Sequence, residues 1–211
     1  MNKLDILYED NHIIVVFKPR GILAQPDRTD KPDMLTIIKD YIKKEYDKPG
    51  NVYLGLVHRL DMNTKGIMVY AKTSKAAERL YKSIMENEFH KSYRATVIGE
   101  VHADEYKELK SYLRKDEKAL KSVIDESGKE AILYYKTEKI RKIKDETVTD
   151  LLIDLKTGRF HQIRCQMASI GHPLYGDAKY GGKGEFKDYS LEAYYLAFPH
   201  PITHEVLEFR R

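Results

Sequence analysis

The sequence predicts an α+β domain on a largely antiparallel or mixed sheet. Short runs rich in β-branched and aromatic residues outnumber helical stretches, with about eight strands against three helices. The two kinds do not alternate regularly, as a doubly wound parallel sheet would require. The length of 211 residues suffices for one substantial core. Residues 1–211 are therefore read as a single domain with no internal repeat and no linker.

The chain opens as a hairpin: DILYED, a turn near Asp10 and Asn11, then HIIVVFK, closed by Pro19 and Gly21. Residues 34–46 set Leu35, Ile38, Ile42 and Tyr46 at helical spacing with lysines between them. VYLGLVHRL and GIMVYAK read as buried strands flanking a loop that carries Asp61. In the second helix, SKAAERLYKSIMEN, Ser74 is the expected cap, and Ala77, Leu80, Tyr81, Ile84 and Met85 form the expected apolar stripe.

SYRATVIG, EAILYYKTEKI and TVTDLLIDLKT follow as strands on their β-branched and aromatic content. A third helix is expected after Gly158, with Phe160, Ile163, Met167 and Ile170 facing inward and Gly171 and Pro173 ending it. His161, Arg164, Cys165 and Ala168 share its other face, which puts Arg164 at the helix edge, able to leave the core and meet an anion. ITHEVLEF closes the chain as a strand.

Hydrophobic residues make up 42% and charged residues 33%, with seven prolines, so the whole length reads as folded. The opening MNKLDILYEDNH carries charges and no long apolar run, so neither a signal peptide nor a membrane span is expected, and the cytoplasm is the expected location. Cys165 is the single cysteine, which excludes an internal disulfide and fits a reducing compartment. His161 and His172 form no helical HxxxH pair and have no cysteine cluster beside them, so no zinc site is expected.

A net charge of +4 is too mild to establish nucleic-acid binding. Its distribution says more: residues 136–144, KTEKIRKIK, hold five basic groups against one Glu, and residues 107–121 hold six basic against three acidic groups. Each run is either a solvated face or a phosphate-contacting rim, and Lys139, Arg141 and Lys142 are the candidates for the second role.

Two polar constellations stand out. In HRLDMNTKG, Asp61 lies among His58, Arg59, Asn63 and Thr64 in a tight loop between apolar strands. Alone, it fits a turn-capping residue better than a catalyst. In GRFHQIRCQMASIGHPLYGDAKYGG, Arg164 reads equally well as a surface arginine paired with a neighbouring carboxylate. Tyr93, in HKSYRATVIGE, reads on its own as a core tyrosine.

Taken in order, five segments change that balance: YEDNHIIVVFKPRGILAQPD, HRLDMNTKGIMVYAKT, KSYRATVIGE, GRFHQIRCQMASIGHPLYGDAKYGG and FPHPITHEVLEF. Together they resemble the RluA-type family of RNA pseudouridine synthases over nearly the whole chain. The resemblance implies a pseudouridine-synthase-like fold and the isomerisation of uridines to pseudouridine in structured RNA, ribosomal or transfer, without a cofactor. It assigns Asp61 as the catalytic aspartate, Tyr93 as the active-site tyrosine and Arg164 as the arginine paired with the aspartate. Arg59 matches the residue that fills the space of an extruded uridine, and Leu196 aligns with an apolar residue lining the pocket. His58, Thr64, Arg159 and His161 join Lys139, Arg141 and Lys142 as expected RNA contacts.

Lys65, Phe160 and Glu192 depart from the family's usual Ser, Thr and His, which bears on substrate contacts and loop packing rather than on the chemistry. The family often carries an S4-type RNA-binding module ahead of this domain, whereas this sequence starts at the catalytic segment. RNA selection is thus expected from the domain's own loops, with the protein a monomer needing no protein partner and no membrane. The rival expectations are a non-catalytic RNA-binding or RNA-folding protein on the same fold, and an aspartate-dependent hydrolase, which would ordinarily need a metal cluster or a second acid.

Overall fold

The computed structural model describes residues 4–211, apart from the side chain of Phe186. In chain order its strands and α-helices are β1 (Ile6–Glu9), β2 (Ile13–Lys18), α1 (Met34–Glu45), β3 (Gly55–Leu56), β4 (Lys65–Ala71), α2 (Ser74–Met85), β5 (His90–Ile98), β6 (Lys107–Asp116), β7 (Lys121–Ile124), β8 (Lys129–Ile143), β9 (Glu146–Leu155), α3 (Gln162–Ser169), β10 (Leu191–Pro199) and β11 (Val206–Arg210). The α+β class therefore stands. The chain divides into two compact units, residues up to His90 with Ala193–Arg211, and Lys91–Glu192.

In the first unit the strands run β1-β2-β4-β10, with β3 also on β4 and β11 on β10. The pairs β1/β2, β2/β4, β3/β4 and β10/β11 are antiparallel. The expected hairpin forms because Asp10 Oδ1 accepts the amides of His12 and Ile13 at 2.7 and 2.8 Å, satisfying the turn from within. Ile13, Val15, Ile67, Val69, Leu80, Leu196 and Phe198 make one core cluster, each 0 or 1% exposed. Full burial of such a side chain contributes about 1.5–3 kcal/mol.

Three local expectations change here. The cap of α2 is Thr73, one residue earlier than Ser74: its Oγ1 accepts the Ala76 amide at 3.1 Å. The buried stripe of α2 is Ala76, Leu80 and Ser83, while Tyr81 and Met85 are 61% and 65% exposed. The predicted strand VYLGLVHRL shortens to β3, paired only at Gly55↔Ala71 and Leu56↔Tyr70. Beyond Leu56 a side chain replaces the backbone ladder, since His58 Nε2 accepts the Val69 amide at 3.2 Å and frees the chain to turn into the Asp61 loop.

In the second unit the order is β5-β9-β8-β6-β7, every neighbour antiparallel. β6 and β7 were not expected as strands. Only Leu113 of β6 is fully buried, so the apolar alternation that marks a strand is missing from a highly charged run. α3 begins later than predicted, at Gln162, after His161 adopts a left-handed φ of 49°. It is buried on both faces from Gln162 to Met167 rather than on one, and Ile170 is 37% exposed beyond its end. Arg164 therefore does not sit at an exposed helix edge, being 6% exposed.

Candidate active site

Asp61 lies on the loop between β3 and β4, half-buried, with exposed Arg59 and buried Leu60 just before it. The loop is held from beneath by backbone and by one buried cation. The Thr64 amide donates to Asp61 O at 3.0 Å and the Gly21 amide to Met62 O at 2.9 Å. Lys18, at the end of β2 and 0% exposed, donates its Nζ to Pro19 O, Ile22 O and Met62 O at 3.0, 2.7 and 3.0 Å. All three ammonium protons are thus used on carbonyls of two adjoining loop segments. Burial pushes the Lys18 ammonium down to about 7, and the Asp61 carboxylate opposes that shift.

The exit from the loop requires glycine. Gly66 has φ of 142°, and a Cβ there would lie 2.6 Å from the Ala193 nitrogen and side chain on β10. Just ahead of it, Thr64 is 2% exposed, and its Oγ1 and the Asn63 Oδ1 are buried without a hydrogen-bond partner among the described residues. Such atoms cost about 1–3 kcal/mol each. Two of them next to a half-buried carboxylate are a polar lining that folding alone does not use. His58 takes a structural part as the Val69 acceptor, with its ring edge-on to Phe89 at 5.3 Å. Leu196 is 1% exposed inside the core cluster of this unit.

In the second unit Tyr93 sits on β5 opposite Ile153 of β9 and is 5% exposed. Arg164, on α3, makes a bidentate pair with Asp177: Nε to Oδ2 at 2.7 Å and Nη2 to Oδ1 at 2.8 Å. The carboxylate partner that the sequence allowed is therefore a buried one, with Asp177 2% exposed. At the head of α3, His161 stacks on Phe160 at 3.9 Å and its Nδ1 lies 3.1 Å from the Tyr180 hydroxyl. Arg159 is exposed and donates from Nε to Glu130 O at 2.8 Å.

The basic segments are partly neutralised within the fold. Arg141 holds Asp150 through Nε and Nη2 at 2.6 and 3.0 Å, whereas Lys139 and Lys142 project as exposed residues of β8. Lys110 and Arg114 pair with Glu130 and Asp125. Among the described residues no group of three or more His, Cys, Asp or Glu side chains is arranged to hold a metal ion. Among them too, no helix is long and apolar enough to cross a membrane.

The sequence reading missed Lys18 and Asp177. Both stand inside segments that carried the resemblance, in FKPRG and LYGDAKYGG, but Lys18 is held by backbone carbonyls, one of them 44 residues away at Met62, and Asp177 pairs with Arg164, 13 residues away.

A half-buried carboxylate in a loop that also holds two unpartnered buried polar atoms, on an antiparallel α+β scaffold, is the candidate site. The particular class follows from comparison. Residues 12–169 match the family model described as RNA pseudouridylate synthase. The chain is 35% identical over 225 residues to the ribosomal large subunit pseudouridine synthase D of Vibrio cholerae, covering 98% of this chain and 66% of that protein. It is 36% identical over 217 residues to the protein of the same name from Escherichia coli O6:H1, covering 95% and 64%. The fold is that of human RNA Pseudouridylate Synthase Domain Containing 1, with a TM-score of 0.77 at 22% identity over 99% of this chain and 83% of that one. This chain belongs to the RNA pseudouridylate synthase family, of the RluA type. It spans just under two thirds of the length of these bacterial relatives.

Proposed function

We propose that this chain is an RNA pseudouridine synthase that isomerises specific uridines in structured RNA, with large-subunit ribosomal RNA as its substrate. The observation that carries the reading is the Asp61 loop: a half-buried carboxylate, braced from below by Lys18, beside two unsatisfied buried polar atoms, within the segment that matches the family. The names of the bacterial relatives support the choice of ribosomal RNA. Residues 1–211 act as one catalytic domain, in the cytoplasm and as a monomer, with no cofactor and no obligatory protein partner.

The reaction breaks the bond from N1 to C1′, turns the uracil, and joins C5 to C1′; N1 gains a proton, the C5 proton leaves, and the formula is unchanged. Asp61 serves as a carboxylate, either by attacking the nucleotide or by assisting cleavage and removing a sugar proton, and both routes need it ionised. Arg164 favours and orients that charge in the reading given by the resemblance. Tyr93 stacks on the detached base while it turns, since an ordinary phenol is a weak base at neutral pH. A uridine in a stem or tight loop must first leave its stack, at about a few kcal/mol. The exposed Arg59 is suited to occupy the vacancy and offset part of that cost.

RNA contacts are proposed for His58, Thr64, Arg159, His161, Lys139, Arg141 and Lys142, with Leu196 lining the pocket. Of these, Lys139, Lys142 and Arg159 have the exposure that phosphate contact needs. The test is to incubate the protein with transcribed large-subunit ribosomal RNA in EDTA. Pseudouridine formed without change in mass supports the reading. Binding without isomer, or release of base or chain cleavage, overturns it.

A further inference from the structure

Arg164 is placed by more than its helix. Asp177 grips one edge of the guanidinium through Nε and Nη2, at 2.7 and 2.8 Å, and both residues are nearly excluded from solvent, at 6 and 2% exposed. Two rings flank the same group: the guanidinium carbon lies 5.1 Å from the Tyr180 ring centroid and 5.6 Å from that of Tyr189. An arginine side chain carries about 2 kcal/mol of rotamer entropy, and a fork held along one edge and against two rings has surrendered it before any substrate arrives. With that edge fixed, the plane and the opposite edge of the guanidinium are fixed as well.

Asp177 is itself held by the backbone of its own segment. Its amide donates to Leu174 O at 3.1 Å, and its carbonyl accepts from Gly182 at 2.8 Å and Tyr180 at 3.1 Å, coiling residues 174–182 tightly around it. Gly182 is required there, because a Cβ would strike the Leu174 carbonyl. The coil is tied to the strand that carries Tyr93: Leu174 bridges Val97 of β5, and the Tyr175 amide donates to Thr96 O at 2.8 Å. One continuous hydrogen-bonded frame thus runs from β5 through residues 174–182 to the carboxylate that holds Arg164.

We propose that Asp177 is a positioning residue for the isomerisation: it sets the orientation of the Arg164 guanidinium and thereby the rate of the chemical step, without touching RNA. The proposal rests on the reading of Arg164 as a group that works on the reacting nucleotide. A misdirected guanidinium loses alignment with the charge it must meet, and misplacement of about 1 Å at a reacting centre can cost on the order of 100-fold. Asn in place of Asp keeps the size of the side chain but turns one acceptor into a donor facing the arginine N–H groups, so the bidentate grip is lost.

The test is single-turnover pseudouridine formation on large-subunit ribosomal RNA, with the active concentration fixed by RNA-binding stoichiometry and folding checked by thermal melting. Asp177→Asn is expected to lower the rate constant by about 10- to 100-fold with RNA affinity within about twofold of the parent. Arg164→Lys is expected to lower it at least as much, and the double variant no further than Arg164→Lys alone, because the two residues act as one unit. General structural damage would instead add to the Arg164→Lys loss. If Arg164→Lys reduces turnover while Asp177→Asn does not, or if the losses multiply, the proposal for Asp177 is overturned. If Arg164→Lys keeps full turnover, the underlying reading of Arg164 fails instead. Should Asp177→Asn not fold, Asp177→Ser with the same cycle answers the question.

Discussion

The Asp61 loop and the Arg164 helix solve the same problem with opposite charges. Around Asp61 the buried ion is a cation, Lys18, whose three protons are spent on the carbonyls of Pro19, Ile22 and Met62, so the loop that carries the proposed catalytic carboxylate is braced through backbone. Around Arg164 the buried ion is an anion, Asp177, which grips the arginine side chain itself. The difference teaches where each site tolerates change. Lys18 spends its hydrogen bonds on the loop's backbone carbonyls, whereas Asp177 hydrogen-bonds directly to the group proposed to act. Loss of Lys18 should therefore be read in stability, and loss of Asp177 in rate.

The sharpest way to break that contrast is Lys18→Met. It strips three carbonyls of their donor in a buried site, and a net loss of about 1–3 kcal/mol is expected in urea or thermal unfolding, since it also removes the cost of burying a charge. Turnover at a permissive temperature should fall far less than for Asp177→Asn. A variant as stable as its parent but inactive would reverse the assignment.

Asp150 sharpens the comparison from a second ion pair. Burial raises its carboxyl, but the hydrogen bonds from Arg141 and Thr96 outweigh it, and the net shift is downward. A carboxyl lowered in the folded state contributes stability above its unfolded value, about 3.9, and loses that contribution as pH falls through the lower folded value. Asp150→Asn is accordingly expected to destabilise the fold at pH 7, with the gap to the parent narrowing as pH falls below the unfolded carboxyl value, about 3.9. A gap that does not change with pH would show that the ion pair adds nothing.

The smallest effect is expected at the rim. Because Arg141 is committed to Asp150, phosphate contact on β8 falls to Lys139 and Lys142. Replacing both with Gln should lower the slope of log affinity against log salt by about 1.4–1.8 if each meets one phosphate. An unchanged slope returns this strand to an ordinary solvated face.

The parts of the fold visible in the sequence include continuous apolar runs and apolar residues at helical spacing. IIVVFK and GIMVYAK are buried nearly throughout, and α1 keeps Ile38 and Ile42 inside at the expected spacing. β6 and β7 escaped because their charged residues leave one fully buried apolar position in β6 and none in β7. α3 was misjudged for a related reason: Arg164 and Gln166 look like a solvent-facing side, yet Asp177 and the acceptors Leu109 O and Ser111 Oγ make their burial possible. Asp61, Tyr93 and Arg164 were legible only as members of five ordered segments. Lys18 and Asp177 were not, because the burial of Lys18 rests on backbone carbonyls, which carry no side-chain signal, and that of Asp177 on an arginine 13 residues away.

The central claim is that Asp61 performs the isomerisation. It is tested most directly by measuring pseudouridine formed on large-subunit ribosomal RNA by Asp61→Ala beside the parent, with RNA affinity measured in parallel. No detectable pseudouridine is expected from the variant, at affinity within about twofold of the parent, because a small side chain lost from the loop leaves the phosphate contacts in place. Retained turnover by Asp61→Ala would contradict it.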